Sequence, residues 1–214
     1  MINDNEVMKT GTTTVGLVCK DGIVLAADKR ATSGYLISYK KFNKVMEITD
    51  NLAVTVAGTV SDVQLMVKYI RAELKLKKIR TSKDITVKEA ANLLSMLVYN
   101  NIRKMSMIPG VSHFVLGGKD DTGTYLYDLS PDGSISMMDD YVSSGSGSVM
   151  AYGVLETLYK KDMSVEEGMK LAGKAINAAV QRDIASGNGI DIVTITKDGV
   201  KRAYTKLLDT KIEI

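Results

Sequence analysis

The amino-acid sequence predicts an α+β fold in which two antiparallel β-sheets lie between pairs of helices. Runs rich in β-forming residues open, interrupt and close the chain, and two pairs of helical segments separate those runs. This order differs from the single alternation of strand and helix that is typical of parallel α/β folds. A four-layer αββα sandwich is an economical packing, because each sheet buries one face against the other sheet and one against a helix pair. A two-layer α+β fold fits the same periodicity.

The size and composition indicate one globular domain. The 214 residues are 45% apolar and 25% charged, and two prolines leave little room for a Pro-rich linker. The net charge of +3 comes from 28 basic and 25 acidic residues. This excess is too small to indicate a nucleic acid or an anionic membrane as a partner.

Signals for metal binding, disulfides and export are weak. Cys19 is the single cysteine and His113 the single histidine, which argues against an intramolecular disulfide and a zinc cluster. A lone cysteine suits a reducing cytoplasm. The first residues lack the apolar stretch of a signal peptide, and no run approaches the roughly 18 apolar residues of a membrane span. We expect a cytoplasmic protein without a metal or cofactor.

The first half of the chain predicts strands followed by two helices. Residues 12–19 and 23–28 are β-rich and flank an Asp21-Gly22 turn, which predicts a hairpin. Further strands are expected at residues 35–38, 44–48 and 52–57. A helix is predicted over residues 62–79, where apolar residues recur at three- and four-residue spacing. A second helix is predicted from Thr86, which forms a capping box with Glu89, to about residue 105.

The second half repeats this order. Strands are predicted at residues 113–116, 125–129, 134–138 and 141–144, where turn sequences separate most of them. Two helices are predicted next, one over residues 148–160 and one opened by the capping box Ser164-Val-Glu-Glu167. A closing hairpin is expected from residues 190–196 and 200–204 around Asp198-Gly199.

The Gly/Ser-rich loop before the third helix has one alternative function. Clustered backbone N–H groups at the start of a helix bind phosphate. Residues 144–153, however, contain no GKS or GKT sequence and no complete GxGxxG. Nucleotide binding is therefore a weak alternative for this loop.

A set of landmarks, in order along the chain, resembles the β subunits of the 20S proteasome, and the archaeal ones most closely. No landmark is specific alone, but together they cover residues 11 to about 196. They are Gly11-Thr12-Thr13-Thr14-Val15-Gly16, Asp28-Lys29-Arg30, Lys44, Ala57-Gly58, Ser144-Gly145-Ser146-Gly147-Ser148, Tyr152-Gly153-Val154-Leu155-Glu156, Gln181-Arg182-Asp183 and Ser186-Gly187.

This resemblance implies an N-terminal nucleophile (Ntn) hydrolase of the αββα type. Residues 1–11 would be a propeptide removed by autocleavage between Gly11 and Thr12, and residues 12–214 a single catalytic domain. Gly11 lacks a Cβ, so it can adopt the backbone angles of a tight turn that brings its carbonyl to the Thr12 hydroxyl. Thr12 would then be the nucleophile of a threonine endopeptidase.

The chemistry of Thr12 fits this implied role. A threonine hydroxyl is a poor nucleophile until a base takes its proton, and a single histidine makes a Ser-His-Asp triad an unattractive choice. A free α-amino group has a pKa of about 7.7–8.0 and can serve as that base. In the uncut chain the same nitrogen is an amide, so the precursor should not cleave other substrates.

The resemblance also assigns supporting roles. Lys44 is expected to place a positive charge beside the Thr12 amine, with Asp28 as its partner, and Gly58 to donate its N–H to the substrate oxyanion. A polar network around the amine is expected from Ser146, Asp183 and Ser186. Taken singly, each of these residues is more often a surface charge, a turn glycine or a loop serine, and Thr12 more often simply begins a strand.

Five apolar residues match family positions that line the pocket for the substrate side chain. An apolar pocket penalises an unpaired charge, so they predict chymotrypsin-like cleavage after large apolar residues. The alternative is that all five belong to the ordinary core. They are Ala31, Phe42, Met46, Val56 and Val60.

The implied partners are those of a proteasome β subunit. They are other β subunits in heptameric rings, α subunits, and a regulatory ATPase that feeds unfolded polypeptide through the α ring. Two rival functions stay open. A non-catalytic β subunit would share the fold, although the presence of Gly11, Thr12, Asp28 and Lys44 together argues against it. A related hydrolase of the same fold could instead act on small amides.

Overall fold

The structure is a computed structural model and describes residues 11–209. Residues 1–10, most of the predicted propeptide, lie outside the described residues. The elements in chain order are β1 (Thr14–Cys19), β2 (Gly22–Asp28), β3 (Ala31–Ser33), β4 (Leu36–Tyr39), β5 (Val45–Thr49), β6 (Leu52–Gly58), α1 (Val60–Thr81), α2 (Val87–Ile102), β7 (Ser112–Asp120), β8 (Gly123–Leu129), β9 (Ile135–Met138), β10 (Tyr141–Ser144), α3 (Ser148–Leu158), α4 (Val165–Arg182), β11 (Gly189–Thr196) and β12 (Gly199–Leu207).

Two five-stranded antiparallel sheets organise the described chain. The first sheet has the strand order β10-β1-β2-β11-β12, and the second has the order β5-β6-β7-β8-β9. A small additional sheet pairs β3 with β4. The first sheet therefore brings together the beginning and the end of the chain.

Three apolar clusters fill the spaces between four layers. One lies between α1, α2 and the second sheet, one between α3, α4 and the first sheet, and one between the two sheets. Strand β2 shows the alternation that produces these layers: Val24 and Ala26 belong to the helix-side cluster, whereas Leu25 and Ala27 belong to the cluster between the sheets. The αββα prediction is confirmed, and the two-layer alternative is wrong.

Local capping signals define the starts of two helices. Thr86 and Glu89 exchange both hydrogen bonds of a capping box at α2, and Ser164 and Glu167 do the same at α4. Both boxes were predicted. The predicted bounds of the helices agree less well with the structure. Helix α1 begins at Val60 rather than at residue 62, and α2 ends at Ile102 rather than near residue 105.

Strand β7 is longer than its sequence indicates. The predicted strand covers residues 113–116 and stops before Gly117 and Gly118, residues of a type that weakens strands. The strand nevertheless continues to Asp120, and both glycines face a neighbouring layer closely: a Cβ on Gly117 would lie 2.8 Å from Ile195 Cδ1 in the other sheet, and one on Gly118 would lie 2.8 Å from Val87 Cγ1 on α2. Here glycine marks close contact between layers, not a strand end.

The topology brings several loops and strand ends to one end of the sandwich. Thr14 pairs with Ser144 on β10 and with Ala27 on β2, and Asp28 pairs with Ile190 on β11. The residues just before β1, the loop after β10 and the loop before β11 therefore meet. Among residues 11–209, no helix combines the length and apolarity needed to cross a membrane.

The layer packing predicts a contrast between two neighbouring positions on α2. Leu94 is fully buried under the second sheet, whereas Met96 is 53% exposed. Leu94→Ala should lower the free energy of unfolding by about 2–5 kcal/mol because it removes buried apolar contacts and leaves a cavity. Met96→Ala should change it by no more than about 0.5 kcal/mol. Urea unfolding of the two variants checks this; equal effects would contradict the assigned burial of α2.

Candidate active site

The hydroxyl of Thr12 lies directly beside the carbonyl of Gly11. Thr12 is 5% exposed, and its Oγ1 donates a hydrogen bond of 2.5 Å to Gly11 O. Lys44 Nζ donates to the same oxygen at 3.4 Å. The peptide bond before Thr12 is thus in contact with both a hydroxyl and an ammonium group.

A fully buried carboxylate holds this arrangement in place. Asp28 Oδ1 accepts from Lys44 Nζ at 2.7 Å and from Thr13 N at 2.9 Å. Asp28 Oδ2 accepts from the backbone N–H groups of Arg30 and Gly187, both at 2.9 Å. Because a buried charge is costly unless it is paired and hydrogen-bonded, these contacts explain how the carboxylate is tolerated at 0% exposure. The predicted Asp28–Lys44 partnership is present.

The environment of Lys44 favours loss of its proton. Burial lowers the pKa of Lys44 below its ordinary value, and the neighbouring charge and hydrogen bond of Asp28 oppose that shift only in part. Lys44 is 2% exposed. An ammonium group in this position can polarise the Gly11 carbonyl.

A second carboxylate organises the nitrogen side of Thr12. Thr12 N donates to Ser146 Oγ at 3.2 Å, and Ser146 Oγ donates to Asp183 Oδ2 at 2.7 Å. Ser186 Oγ donates to the same Asp183 oxygen at 2.6 Å and contacts Thr13 Oγ1, also at 2.6 Å. The structure therefore brings together Ser146, Asp183 and Ser186 as a network that begins at the Thr12 nitrogen.

Two glycines allow the backbone to approach this site. Gly58 has a φ of +118°, and a Cβ there would lie 2.1 Å from Val111 O. Gly145 has a φ of +90°, and a Cβ there would lie 2.1 Å from Thr12 O. Both the conformation and the available space require glycine at these positions. Gly58 lines the cleft that also contains Thr12.

The cleft beside Thr12 contains most of the predicted pocket residues. Met46 does not line it and packs instead against the cluster under α1 and α2. Three lining residues were not predicted to line the pocket. Thr32 lies on the short strand β3, which the pattern did not predict, Ala57 was noted only as the neighbour of Gly58, and Val63 fits an ordinary helix core position. The predicted residues that line the cleft are Ala31, Phe42, Val56 and Val60, together with Lys44 and Gly58.

The sequence did not reveal the backbone N–H groups that bind Asp28 or the role of the Arg30 side chain. The N–H groups of Thr13, Arg30 and Gly187 bind Asp28, and residue type gives no signal for such a role. The Arg30 side chain donates to Asn188 Oδ1 at 2.8 Å and to Ile184 O at 2.7 Å. It thereby fixes the loop between α4 and β11. Within residues 11–209, no cluster of three or more His, Cys, Asp or Glu side chains is suited to hold a metal ion.

Comparison with known proteins identifies close relatives. Residues 8–195 match the family model described as proteasome subunit. The chain is 46% identical to the proteasome subunit beta of Ferroglobus placidus over 213 residues, which cover 100% of this chain and 97% of the relative. It is also 46% identical over 203 residues to the protein of that name from Methanocaldococcus vulcanius, covering 92% of this chain and 89% of the relative. The corresponding protein of Methanobrevibacter ruminantium is 41% identical, with 95% and 94% covered.

The buried pair predicts a large stability cost for removing its cation. Lys44→Met keeps the length of the side chain but leaves the Asp28 carboxylate without its counter-charge. Unfolding free energy should fall by about 3–5 kcal/mol, as is typical when one partner of a buried pair is removed. Lys41→Met, three residues earlier and exposed, serves as the matched control and should leave the urea midpoint nearly unchanged. Indistinguishable midpoints for the two variants would show that Asp28 does not depend on Lys44.

Proposed function

The chain belongs to the proteasome subunit family, and from this membership we propose that it is a threonine endopeptidase whose nucleophile is the Thr12 hydroxyl. The observation that carries the proposal is the geometry at Gly11–Thr12. The hydroxyl is 2.5 Å from the Gly11 carbonyl oxygen, and Lys44 Nζ is 3.4 Å from that oxygen. A hydroxyl, a carbonyl and a cation with a lowered pKa form the reacting group of an internal acyl transfer.

The first reaction is autocleavage. The Thr12 oxygen attacks the Gly11 carbonyl carbon, forming an ester as the Gly11–Thr12 C–N bond breaks. Overall, the hydroxyl proton is transferred to the departing nitrogen, which becomes an amine. Water then hydrolyses the ester, which releases residues 1–11 with a free carboxylate and leaves Thr12 as the first residue. Lys44 stabilises the negative charge that develops on the carbonyl oxygen.

The mature enzyme uses the liberated amine as its base. The amine accepts the Thr12 hydroxyl proton while the oxygen attacks a substrate carbonyl, and it returns a proton to the leaving amine of the substrate. The same amine then activates the water that hydrolyses the acyl ester. Lys44 keeps the amine deprotonated through its charge, and Asp28 holds Lys44 in position.

Three further sets of residues support these steps. Gly58 N–H stabilises the substrate oxyanion. The network of Ser146, Asp183 and Ser186 orients the amine, since it already binds the Thr12 nitrogen in the uncut chain. The pocket for the substrate side chain is formed by the predicted residues that line the cleft, Ala31, Phe42, Val56 and Val60; Met46 packs behind it, against the cluster under α1 and α2.

The proposed setting is the proteasome core in the cytoplasm. The relatives are β subunits by name. We therefore place this chain in heptameric rings with other β subunits, next to rings of α subunits, with a regulatory ATPase supplying unfolded polypeptide. The exposed surface offers several large apolar residues for such contacts, including Met105 at 105% and Met107 at 101% exposure.

The mass of the assembled subunit tests self-cleavage. After co-expression with an α subunit, the wild type should lose residues 1–11 and begin at Thr12, and Thr12→Ser should do the same because it keeps a hydroxyl. Thr12→Ala should keep the full chain. Intact-mass spectrometry distinguishes these forms, and trimming of Thr12→Ala at the same bond would contradict the proposal.

The composition of the pocket predicts the cleavage preference. Fluorogenic peptides with a large apolar residue before the cut should be hydrolysed at least about tenfold faster, by kcat/KM, than matched peptides with Glu or Arg there, because an apolar pocket leaves a charge unpaired. Equal rates for the three peptides would contradict the assignment of the pocket.

The same assays distinguish the two rival functions. A processed assembly that cleaves only small amides, and neither these peptides nor unfolded casein, would favour the small-amide hydrolase. One that cleaves no substrate would favour a non-catalytic subunit.

A further inference from the structure

The space around Gly11 is filled by one neighbouring residue, Ala185. Gly11 is buried, and a Cβ added to it would lie 1.7 Å from Ala185 Cβ, 2.8 Å from Ala185 Cα and 3.0 Å from Ala185 O. Cβ atoms in proteins essentially never come within 3.0 Å of another heavy atom that is not bonded nearby. Any residue other than glycine at position 11 therefore requires either Gly11 or Ala185 to move.

Gly11 has little freedom to move because both of its polar groups are bound. Its N–H donates to Thr32 Oγ1 at 3.2 Å. Its carbonyl oxygen accepts from Thr12 Oγ1 at 2.5 Å and from Lys44 Nζ at 3.4 Å. A shift away from Ala185 would alter the hydroxyl–carbonyl contact that autocleavage requires.

Ala185 is also held in place, by the loop between α4 and β11. Its N–H donates to Asp183 Oδ1 at 3.2 Å. The carbonyl of Ile184, the residue before it, accepts from Arg30 Nη1 at 2.7 Å. The following residues Ser186 and Gly187 bind Asp183 and Asp28 respectively. The two carboxylates that organise the active site thus also fix the residue that contacts Gly11.

We propose that Ala185 sets the requirement for glycine on the N-terminal side of the cleaved bond. Its methyl group occupies the volume that any side chain at position 11 would need. Displacement of residue 11 would carry its carbonyl away from the Thr12 hydroxyl. Ala185 is a positioning residue for this reaction and takes no part in the chemistry. The proposal rests on the proposed autocleavage at Gly11–Thr12.

A different cause would be backbone conformation, since glycine also permits angles that other residues avoid. The steric cause and the conformational cause predict different effects when Ala185→Gly is added to a side chain at position 11. Removal of the Ala185 methyl group relieves a steric clash with a side chain at position 11. It does nothing for an alanine that is forced into an unfavourable backbone conformation.

A double-variant cycle distinguishes these causes. The rate of loss of residues 1–11 is followed by intact-mass spectrometry after assembly with an α subunit, for the wild type, Gly11→Ala, Ala185→Gly and the double variant. Gly11→Ala should slow cleavage by about 10- to 100-fold, the range that the usual cost of overpacking implies. The double variant should be cleaved at least about threefold faster than Gly11→Ala, but more slowly than the wild type. Recovery should be incomplete, because Ala185 Cα and O remain 2.8 Å and 3.0 Å from the added Cβ.

Gly173→Ala is the matched control for the substitution itself. A Cβ at Gly173 would meet no atom within 4 Å, so this variant should be processed at the wild-type rate.

A second experiment does not depend on whether the protein tolerates Ala185→Gly. Ala185→Val, which adds two methyl groups beside Gly11, should slow cleavage of the otherwise unchanged precursor by about tenfold or more.

The outcomes separate this inference from the proposed function. A double variant as slow as Gly11→Ala, in a background where Ala185→Gly alone is cleaved, would overturn the role of Ala185. Cleavage of Ala185→Val at the wild-type rate would also overturn it. Failure of the wild type to lose residues 1–11, or trimming of Thr12→Ala at the same bond, would instead refute autocleavage itself.

Discussion

The carboxylate of Asp28, buried and bound by a cation and three backbone N–H groups, is the constraint on which the site depends. It joins the residue before β1, the loop before β5 and the loop before β11 at one point, through Thr13, Lys44 and Gly187. An unpaired buried charge is expensive, so these segments are held together by the need to satisfy it. The ordinary αββα packing brings the segments close, and Asp28 fixes their relative positions.

Two carboxylates divide the work of holding Thr12. Asp28 acts on the hydroxyl side through Lys44, whose Nζ reaches the oxygen that the hydroxyl also contacts. Asp183 acts on the nitrogen side through Ser146. The nucleophile and its proposed base belong to one residue, so holding both sides of that residue fixes the distance between them. The loop that carries Asp183 also carries Ala185, so one short segment positions both Gly11 and the polar network at the Thr12 nitrogen.

The sequence predicted what depends on local or repeated patterns. The order of sheets and helix pairs follows from hydrophobic periodicity, and both capping boxes follow from side chains that bind their own helix starts; the structure bears these out. Periodicity favoured four layers but left a two-layer fold open, and the packing of the three apolar clusters decides for four. Strand β3 was missed because Ala31-Thr32-Ser33 is too short to show a period, and Thr32 was missed with it. The extension of β7 past Gly117 was missed because close packing between the sheets leaves no local signal.

For the site, residue identity and resemblance identified side chains and the Gly58 N–H, but not the backbone donors that bind Asp28. The N–H groups of Arg30 and Gly187 bind Asp28 because the fold places them beside it. Any residue other than proline carries such an N–H, so residue type does not indicate this role. Gly11 and Ala185 are far apart in the sequence, so their contact could be recognised only in the folded structure. The sequence gives a conformational reason for glycine at position 11, whereas the structure gives a steric one.

The identity of the residue that carries the acyl group tests the central claim most directly. The processed, assembled enzyme would be treated with a peptide that bears an irreversible electrophile and then digested, and the modified residue located by tandem mass spectrometry. The account predicts one adduct per active subunit, on the peptide that begins with Thr12, formed in step with the loss of peptidase activity. Complete loss of activity with Thr12 unmodified and the label on another side chain, such as Ser146 or Cys19, would contradict it.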